Sequence, residues 1–139
     1  LETLLTQVAG ITGNADIDLS KRGLVAMCAD NGVVEEGVTQ TGQEVTAIVA
    51  ENFLRYDTSV GVMCKQNHAE IFPVDMGMVT DTKVRTDHKV AYGTQNMTKG
   101  PAMTREQAIK GIEFLQQGRW ESEIRLPAVR WLLYCWISR

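Results

Sequence analysis

A short apolar run that ends in a glycine-rich polar loop constrains this fold more than any other feature of the chain. Residues 24–29 read L-V-A-M-C-A and lie between a Lys-Arg-Gly triplet and Asp30. A run of this length, bounded by polar residues, is typical of a strand that is buried on both faces. Residues 69–74 form a second candidate strand, and it too is followed by an aspartate and a glycine, Asp75 and Gly77.

Helical periodicity fills the interval between the two runs. Apolar spacing predicts helices over 44–55 and 58–65, with Thr41 or Gly42 near the N-cap of the first. A strand, a helical connection and a second strand at this spacing form a βαβ unit with a parallel pair. We therefore expect an α/β fold with a parallel sheet.

Three further segments have weaker patterns. Residues 1–9 have the apolar spacing of a helix, and residues 83–92 predict either an edge strand or a long excursion. Residues 104–107 read T-R-E-Q, the form of a capping box, so a helix should begin there and run through Leu115. Gly93 and Gly100 precede this helix and mark either an anion-binding helix entry or plain turns.

Composition and charge exclude several classes of protein. The net charge is −3 with both signs mixed, so the chain lacks the basic stripe that nucleic-acid binding needs. No apolar run approaches the roughly 20 residues that span a bilayer, and no signal peptide is evident. The three cysteines have no C-x-x-C spacing, which favours reduced thiols over a disulfide framework or a zinc site. We expect a cytoplasmic protein without nucleic-acid or membrane partners.

The loop after residue 29 carries the densest polar chemistry. Glu35 and Glu36 are adjacent carboxylates that are candidates for general-base work, although such loop pairs more often form a solvated surface. His68 and His88 have no second ligand at metal spacing, so we expect no metal site. Gly-rich dinucleotide and Walker A signatures are missing. The residues alone therefore predict an α/β domain with a ligand loop after its first strand.

Four ordered blocks resemble the nicotinate-nucleotide–dimethylbenzimidazole phosphoribosyltransferase family. The loop reads C-A-D-N-G-V-V-E-E-G-V from Cys28, which is similar to the family's C-A-D-H-G-V-x-x-E-G-V. The segments L-E-T-L-L-T-Q-V-A-G at the start, V-D-M-G from Val74 and G-P-A-M-T from Gly100 are similar to three further family blocks. The resemblance covers residues 1 to about 111.

The resemblance implies an α/β enzyme with a Rossmann-like parallel sheet flanked by helices, which is incomplete in this chain. The family forms homodimers and uses no cofactor. Its small-molecule substrates are nicotinate mononucleotide and dimethylbenzimidazole. The enzyme moves the phosphoribosyl group from the first to the second with inversion at the anomeric carbon, and it releases α-ribazole phosphate and nicotinate. This reaction belongs to the assembly of the nucleotide loop of cobamides, the cobalamin class of cofactors.

Five positions that match the family motifs are expected to contact substrate, and their residues are Thr41, Val45, Val49, Asp30 and Glu36. The chain departs from the pattern nearby, since Asn31 replaces the usual His, Gly42 the usual Pro and Val49 a frequent Gln. These changes bear on base selectivity. No catalytic residue is assigned here, because the family's catalytic Glu corresponds to a position beyond 139.

Two other functions stay open. One is a non-catalytic module that keeps only the base slot. The other is an unrelated Rossmann-like nucleotide-binding domain, which the missing glycine fingerprint disfavours.

The character of the chain changes after about Gln116. All three tryptophans lie there, and the family's phosphate loop G-E-M-G-I-G-N-T-T does not appear. Back-translation of residues 116–138, read from the third base of each codon, permits A-G-E-M-G-I-G-N-T-T-T-C-S-A-V-A-A-V-L-L-D-I. We therefore expect residues 1–115 to be an N-terminal part of the phosphoribosyltransferase domain, residues 116–139 to be an out-of-frame tail, and the polypeptide to be inactive.

The frameshift hypothesis makes a prediction about the coding DNA. The codons of residues 117–124 should yield G-E-M-G-I-G-N when they are read in the shifted frame. Sequencing the gene across this region decides the matter, and codons that cannot encode that heptapeptide would contradict the hypothesis.

Overall fold

The computed structural model describes residues 2–17, 20, 22–116 and 134–135. The tail predicted after Gln116 therefore lies outside the described residues, apart from positions 134–135. In chain order the elements are helix α1 (Glu2–Thr12), strand β1 (Arg22–Ala29), a 3-10 helix (Gly32–Glu36), helices α2 (Glu44–Phe53) and α3 (Ser59–Gln66), strand β2 (Ala69–Gly77), helix α4 (Arg105–Gln116) and strand β3 (Tyr134–Cys135).

Strands β1 and β2 form the parallel pair that the sequence predicts. Their register runs from Arg22 opposite Ala69 to Ala29 opposite Gly77, with an irregularity between Cys28 and Ala29. Strand β3 pairs in parallel with Ala26 and Met27 on the other side of β1, so the strand order is β2-β1-β3. The α/β prediction of a parallel sheet flanked by helices is confirmed.

Alternation along the strands divides the core between the two faces of the sheet. On one face Leu24, Ala26 and Cys28 pack with Phe53 of α2 and Cys64 of α3. On the opposite face Val25, Met27 and Val74 form a smaller cluster, against which Phe72, Met76 and Phe114 of α4 pack. Because β1 is buried on both faces, its sequence is an uninterrupted apolar run.

Local signals set two of the helix starts. The Thr58 hydroxyl accepts a hydrogen bond from the Gly61 amide at the start of α3. At α4 the Gln107 amide donates to the Thr104 hydroxyl at 3.2 Å, while the Thr104 amide donates to the Gln107 side chain at 2.9 Å. These reciprocal bonds confirm the predicted capping box.

The N-cap of α2 lies one residue after Gly42 and two after Thr41, the two residues that were predicted to lie near it. The residue before this helix is Gln43, which has helical backbone angles and makes no capping bond with its side chain. Thr41 does not cap the helix because it belongs to a separate turn, in which the Thr39 hydroxyl bonds to the backbone of Thr41.

Helix α1 is longer than predicted, since it continues through Gly10 to Thr12 and is followed by Gly13 at φ 66°.

The excursion, residues 78–104, covers the outer edge of β2. The Asp75 amide donates to the Arg85 carbonyl at 2.8 Å, and the Val90 amide donates to the Met76 carbonyl at 2.9 Å. Among the described residues, its β-type pairing with the sheet is one isolated parallel bridge between Val74 and Arg85, not a continuous ladder. Of the two interpretations of residues 83–92, the structure therefore supports the long excursion.

Lys89 anchors this excursion to the sheet. Its ammonium lies 3.0 Å from the fully buried Asp75 carboxylate and 2.9 Å from that of Asp81, and 3.8 Å from the centre of the Tyr92 ring. Burial lowers the pKa of Lys89, but hydrogen bonds with Asp81 and Asp75 outweigh that effect and raise it. The lysine therefore remains charged and ties the part of the excursion from Asp81 to Tyr92 to β2.

We predict that Lys89→Met destabilises the fold much more than Lys99→Met. The first change leaves the buried Asp75 carboxylate without its cation, which costs about 3 kcal/mol of unfolding free energy. The second removes an ion pair whose side chains are both about two-thirds exposed, so its effect should be far smaller. Urea unfolding of both variants measures the difference, and equal losses would contradict the anchoring role.

Candidate functional site

Asp30 joins the end of β1 to the excursion. Its side chain is 1% exposed, and its Oδ2 accepts a hydrogen bond from the Val79 amide at 2.8 Å. Its carbonyl oxygen accepts from the Thr94 amide at 3.0 Å, while its own amide donates to the Gly77 carbonyl. Its second carboxylate oxygen, Oδ1, has no hydrogen-bond partner among the described residues. Asp30, one of the predicted substrate residues, is therefore a buried residue that links β1 to the excursion by hydrogen bonds. One of its carboxylate oxygens has no hydrogen-bond partner among the described residues.

The loop after β1 and the segment around Thr94 approach each other very closely. The Gly32 amide donates to the Thr94 hydroxyl at 3.1 Å. A Cβ at position 32 would lie 2.5 Å from the Thr94 carbonyl oxygen and 2.7 Å from the Asn96 amide nitrogen. Contacts this short leave no room for a side chain, so the fold requires glycine at this position.

The adjacent carboxylates of Glu35 and Glu36 make hydrogen bonds and an ion pair with residues 96–99 at the surface. The Asn96 side chain donates to Glu36 at 2.6 Å, and the Lys99 ammonium lies 2.9 Å from Glu35. Hydrogen bonds from Lys99 and Asn96 lower the pKa of Glu35, and those from Asn96 and Thr98 lower that of Glu36. A lowered pKa makes a carboxylate a weaker base, so the solvated-surface interpretation fits better than a general-base pair. Glu36 remains an untested prediction as a substrate contact.

The three predicted base contacts lie on the α2 side of the sheet. Thr41 is exposed, Val45 is half-buried, and Val49 packs against the larger core cluster. The Gln43 side chain donates to the Asn31 carbonyl at 3.2 Å, which holds the start of α2 close to the end of β1. The structure thus brings Thr41 and Val45 near the carboxyl edge of the sheet, where α/β proteins bind ligands.

A cavity of about 500 Å³ opens on the other face of the same edge, between the sheet, the excursion and α4. Its walls are largely apolar, and no charged side chain lines it in the described part of the chain. The five predicted substrate residues do not line it. The lining residues are Met27, Ala29, Asn31, Met76, Gly77, Val90, Ala91, Gly93, Thr94, Met103, Gln107, Ala108, Gly111 and Ile112.

No local sequence pattern indicates this cavity, because its walls come from segments up to 85 positions apart. Asn31 is singled out in the sequence as a departure from the family pattern that bears on base selectivity, whereas Thr94 is only the residue after Gly93. Gly111 offered a hint, since a glycine inside a helix often marks a close approach or a cavity.

The buried thiol of Cys28 faces the two aspartates of this edge. Burial, with the negative charges of Asp75 and Asp30 nearby, raises the pKa of Cys28 to about 12. Burial also raises the pKa of Cys64. Both cysteines are free and buried, and both belong to the larger core cluster.

Among the described residues, no cluster of three or more His, Cys, Asp or Glu side chains could hold a metal ion. No helix in this part of the chain is long and apolar enough to cross a membrane.

We predict that Cys28 resists alkylation in the folded protein. With a pKa of about 12, almost none of its thiol is the reactive thiolate at pH 8. Peptide-resolved mass spectrometry after iodoacetamide treatment should show Cys28 unmodified, and modified once urea is added. Rapid labelling of Cys28 in the native protein would contradict its burial beside the two carboxylates.

Comparison with known proteins identifies consistent relatives. A family model described as phosphoribosyltransferase matches residues 1–118. The nicotinate-nucleotide–dimethylbenzimidazole phosphoribosyltransferase of Clostridium tetani is 47% identical over 115 residues, which cover 81% of this chain and 32% of that protein. The enzyme of the same name from Ruminiclostridium cellulolyticum is 45% identical over 115 residues, or 33% of its length.

The fold agrees with these similarities. The crystal structure of CobT from Thermus thermophilus superposes with a TM-score of 0.71 at 29% identity, and covers 89% of this chain and 38% of that one. The chain thus spans about a third of the length of the curated relatives that it matches.

Proposed function

The chain belongs to the phosphoribosyltransferase family whose model matches residues 1–118, and we propose that it carries the base-recognition part of a nicotinate-nucleotide–dimethylbenzimidazole phosphoribosyltransferase. The observation that carries the proposal is the 47% identity with the Clostridium tetani enzyme, which spans 81% of this chain. The names of the relatives give the two substrates. The carboxyl edge of a parallel sheet is where α/β proteins bind ligands, which supports binding there.

The proposed reaction exchanges one aromatic base for another on phosphoribose. A ring nitrogen of dimethylbenzimidazole forms a bond to the anomeric carbon while the bond from that carbon to the pyridinium nitrogen breaks. The breaking bond's electron pair leaves with nicotinate, and the proton on the other ring nitrogen of the base passes to a carboxylate. The resemblance assigns that carboxylate to a glutamate outside these 139 residues.

Three residues near the start of α2 are proposed to hold the acceptor base. Val45 and Val49 lie one helical turn apart, so their side chains share a face against which a flat ring can pack. Thr41 contributes a hydroxyl at the exposed end of that face, suited to a ring nitrogen. At Val49 a frequent family glutamine is replaced, so Thr41 is the main polar contact in this chain.

We further propose that the protein acts in the cytoplasm as a homodimer, as the family resemblance implies. Free, buried Cys28 and Cys64 are compatible with a reducing compartment. These 139 residues contain no G-E-M-G-I-G-N loop, so the 139-residue polypeptide should bind the base without transferring phosphoribose.

We predict that the 139-residue polypeptide binds dimethylbenzimidazole and that Thr41→Val weakens this binding about fivefold to tenfold. The change keeps the shape of the side chain but removes its hydroxyl, and a single hydrogen bond is worth about 1 kcal/mol. Isothermal titration calorimetry measures the affinity, and chromatography of mixtures with nicotinate mononucleotide measures turnover.

Thr6→Val provides the matched control, because Thr6 is an exposed threonine on α1 that bonds only to the Glu2 carbonyl in the described structure. It should leave the affinity for the base unchanged. Failure of the unmodified chain to bind dimethylbenzimidazole would overturn the proposed base recognition, whereas turnover would overturn the expected inactivity.

A further inference from the structure

The two faces of the sheet are packed to different depths. On the face toward α2, nine buried residues of the described chain form one core cluster, whereas the face toward α4 has three, Val25, Met27 and Val74. No residue of α4 from Arg105 to Phe114 is buried. Strand β1 is nevertheless apolar toward both faces, as a strand covered on both sides should be. The core on the α4 face is therefore incomplete within the described chain.

Apolar side chains remain exposed around the cavity on this face. Met103 and Ile112 line it and are 44% and 52% exposed, and the exposed Ile109 lies one helical turn before Ile112. We call the cavity walls together with Ile109 the α4 surface. Folded interiors leave few voids larger than a water molecule, yet this cavity measures about 500 Å³. A continuous apolar surface of this kind marks an interaction site.

The polar groups of the cavity restrict what can cover the α4 surface. They are neutral side chains, since no charged residue lines the cavity in the described part of the chain. The Thr94 hydroxyl accepts from the Gly32 amide, and Gln107 accepts from the Thr104 amide through Oε1, so each keeps protons to donate. Apolar side chains and a few main-chain carbonyls match these walls, whereas a charged group would be buried without a partner. The occupant that fits is an uncharged, apolar polypeptide segment.

The length of the relatives indicates where such a segment comes from. The match takes up 32% of the Clostridium tetani enzyme, and the superposition covers 38% of the Thermus thermophilus chain. The described sheet has three strands, whereas an average sheet has roughly five or six. About two-thirds of each relative therefore lies outside the match and is available to complete the sheet and to cover its α4 face.

We propose that the α4 surface docks the remaining two-thirds of a phosphoribosyltransferase chain of this family, supplied as a separate polypeptide, and that an uncharged apolar segment of that polypeptide fills the cavity. The inference rests on the membership in the family and not on the proposed base recognition. It makes the 139-residue polypeptide one component of a two-chain assembly.

Co-expression tests the proposal. The partner is the part of the Clostridium tetani enzyme that follows the matched segment, and it carries an affinity tag. The 139-residue chain should be captured with this partner in about equal molar amounts. The matched 115-residue segment of the Clostridium tetani enzyme, co-expressed with the same partner, is the reference for a partner that is competent to assemble.

Ile112→Glu places a carboxylate in the proposed interface and should lower the captured amount at least about tenfold, because the charge would be buried without a partner. Gly111→Leu is a second variant that fills the cavity from α4, and a Cβ there meets only the Val90 side chain, at 4.0 Å. Ile48→Glu is the matched control, since Ile48 is 57% exposed on α2, on the opposite face of the sheet. It should leave capture unchanged.

Hydroxyl-radical footprinting of the 139-residue chain gives a measurement that needs no partner. Met103 and Ile112 should be labelled in the isolated chain and protected in the captured complex. Protection of both in the isolated chain would overturn the proposal, because the α4 surface would already be covered. Capture of the reference segment without capture of this chain, or capture that Ile112→Glu leaves unchanged, would also overturn it.

The proposed function is judged by a separate readout. Capture of the chain that Ile112→Glu abolishes would support the docking surface even if calorimetry finds no binding of dimethylbenzimidazole, a result that overturns only the base recognition. Binding of dimethylbenzimidazole by a chain that is not captured, while the reference segment is, would overturn only the docking surface.

Discussion

The buried carboxylate of Asp75 is the interaction on which the carboxyl edge depends. One oxygen accepts the amides of Gly77 and Met78, which turns the chain out of β2, and the other faces the Lys89 ammonium. A charge with no solvent exposure is costly unless it is paired and hydrogen-bonded, and here both conditions are met. The excursion can therefore return across the strand ends, where it forms one wall of the cavity and reaches Asp30.

This arrangement produces two unlike surfaces from one sheet edge. The α2 side presents the exposed Thr41 next to a packed valine face, whereas the α4 side encloses an apolar cavity with neutral donors. The division follows from the alternation of side chains along β1 and β2.

Local patterns predicted the elements well and their tertiary partners poorly. The apolar run before Asp30 predicted β1, and T-R-E-Q predicted the capped start of α4, because both signals act within a few residues. The N-cap of α2 lies one to two residues beyond the predicted pair, because Thr39 and Thr41 bond within a turn of their own. The pairing of Glu36 with Asn96 and the lining of the cavity arise from contacts about 60 or more positions apart, which no local period encodes. The family resemblance named site residues that spacing alone did not distinguish from other loop residues.

The close approach at Gly32 has a consequence for protein engineering. The loop that opens at Asp30 and the strip around Thr94 touch through backbone atoms, although 62 positions separate the two hydrogen-bonded residues. Neither surface can be transplanted alone, because a recipient scaffold would have to reproduce the other at a spacing that admits no Cβ. Chimeras of this family will therefore need crossover points that carry both segments from a single parent.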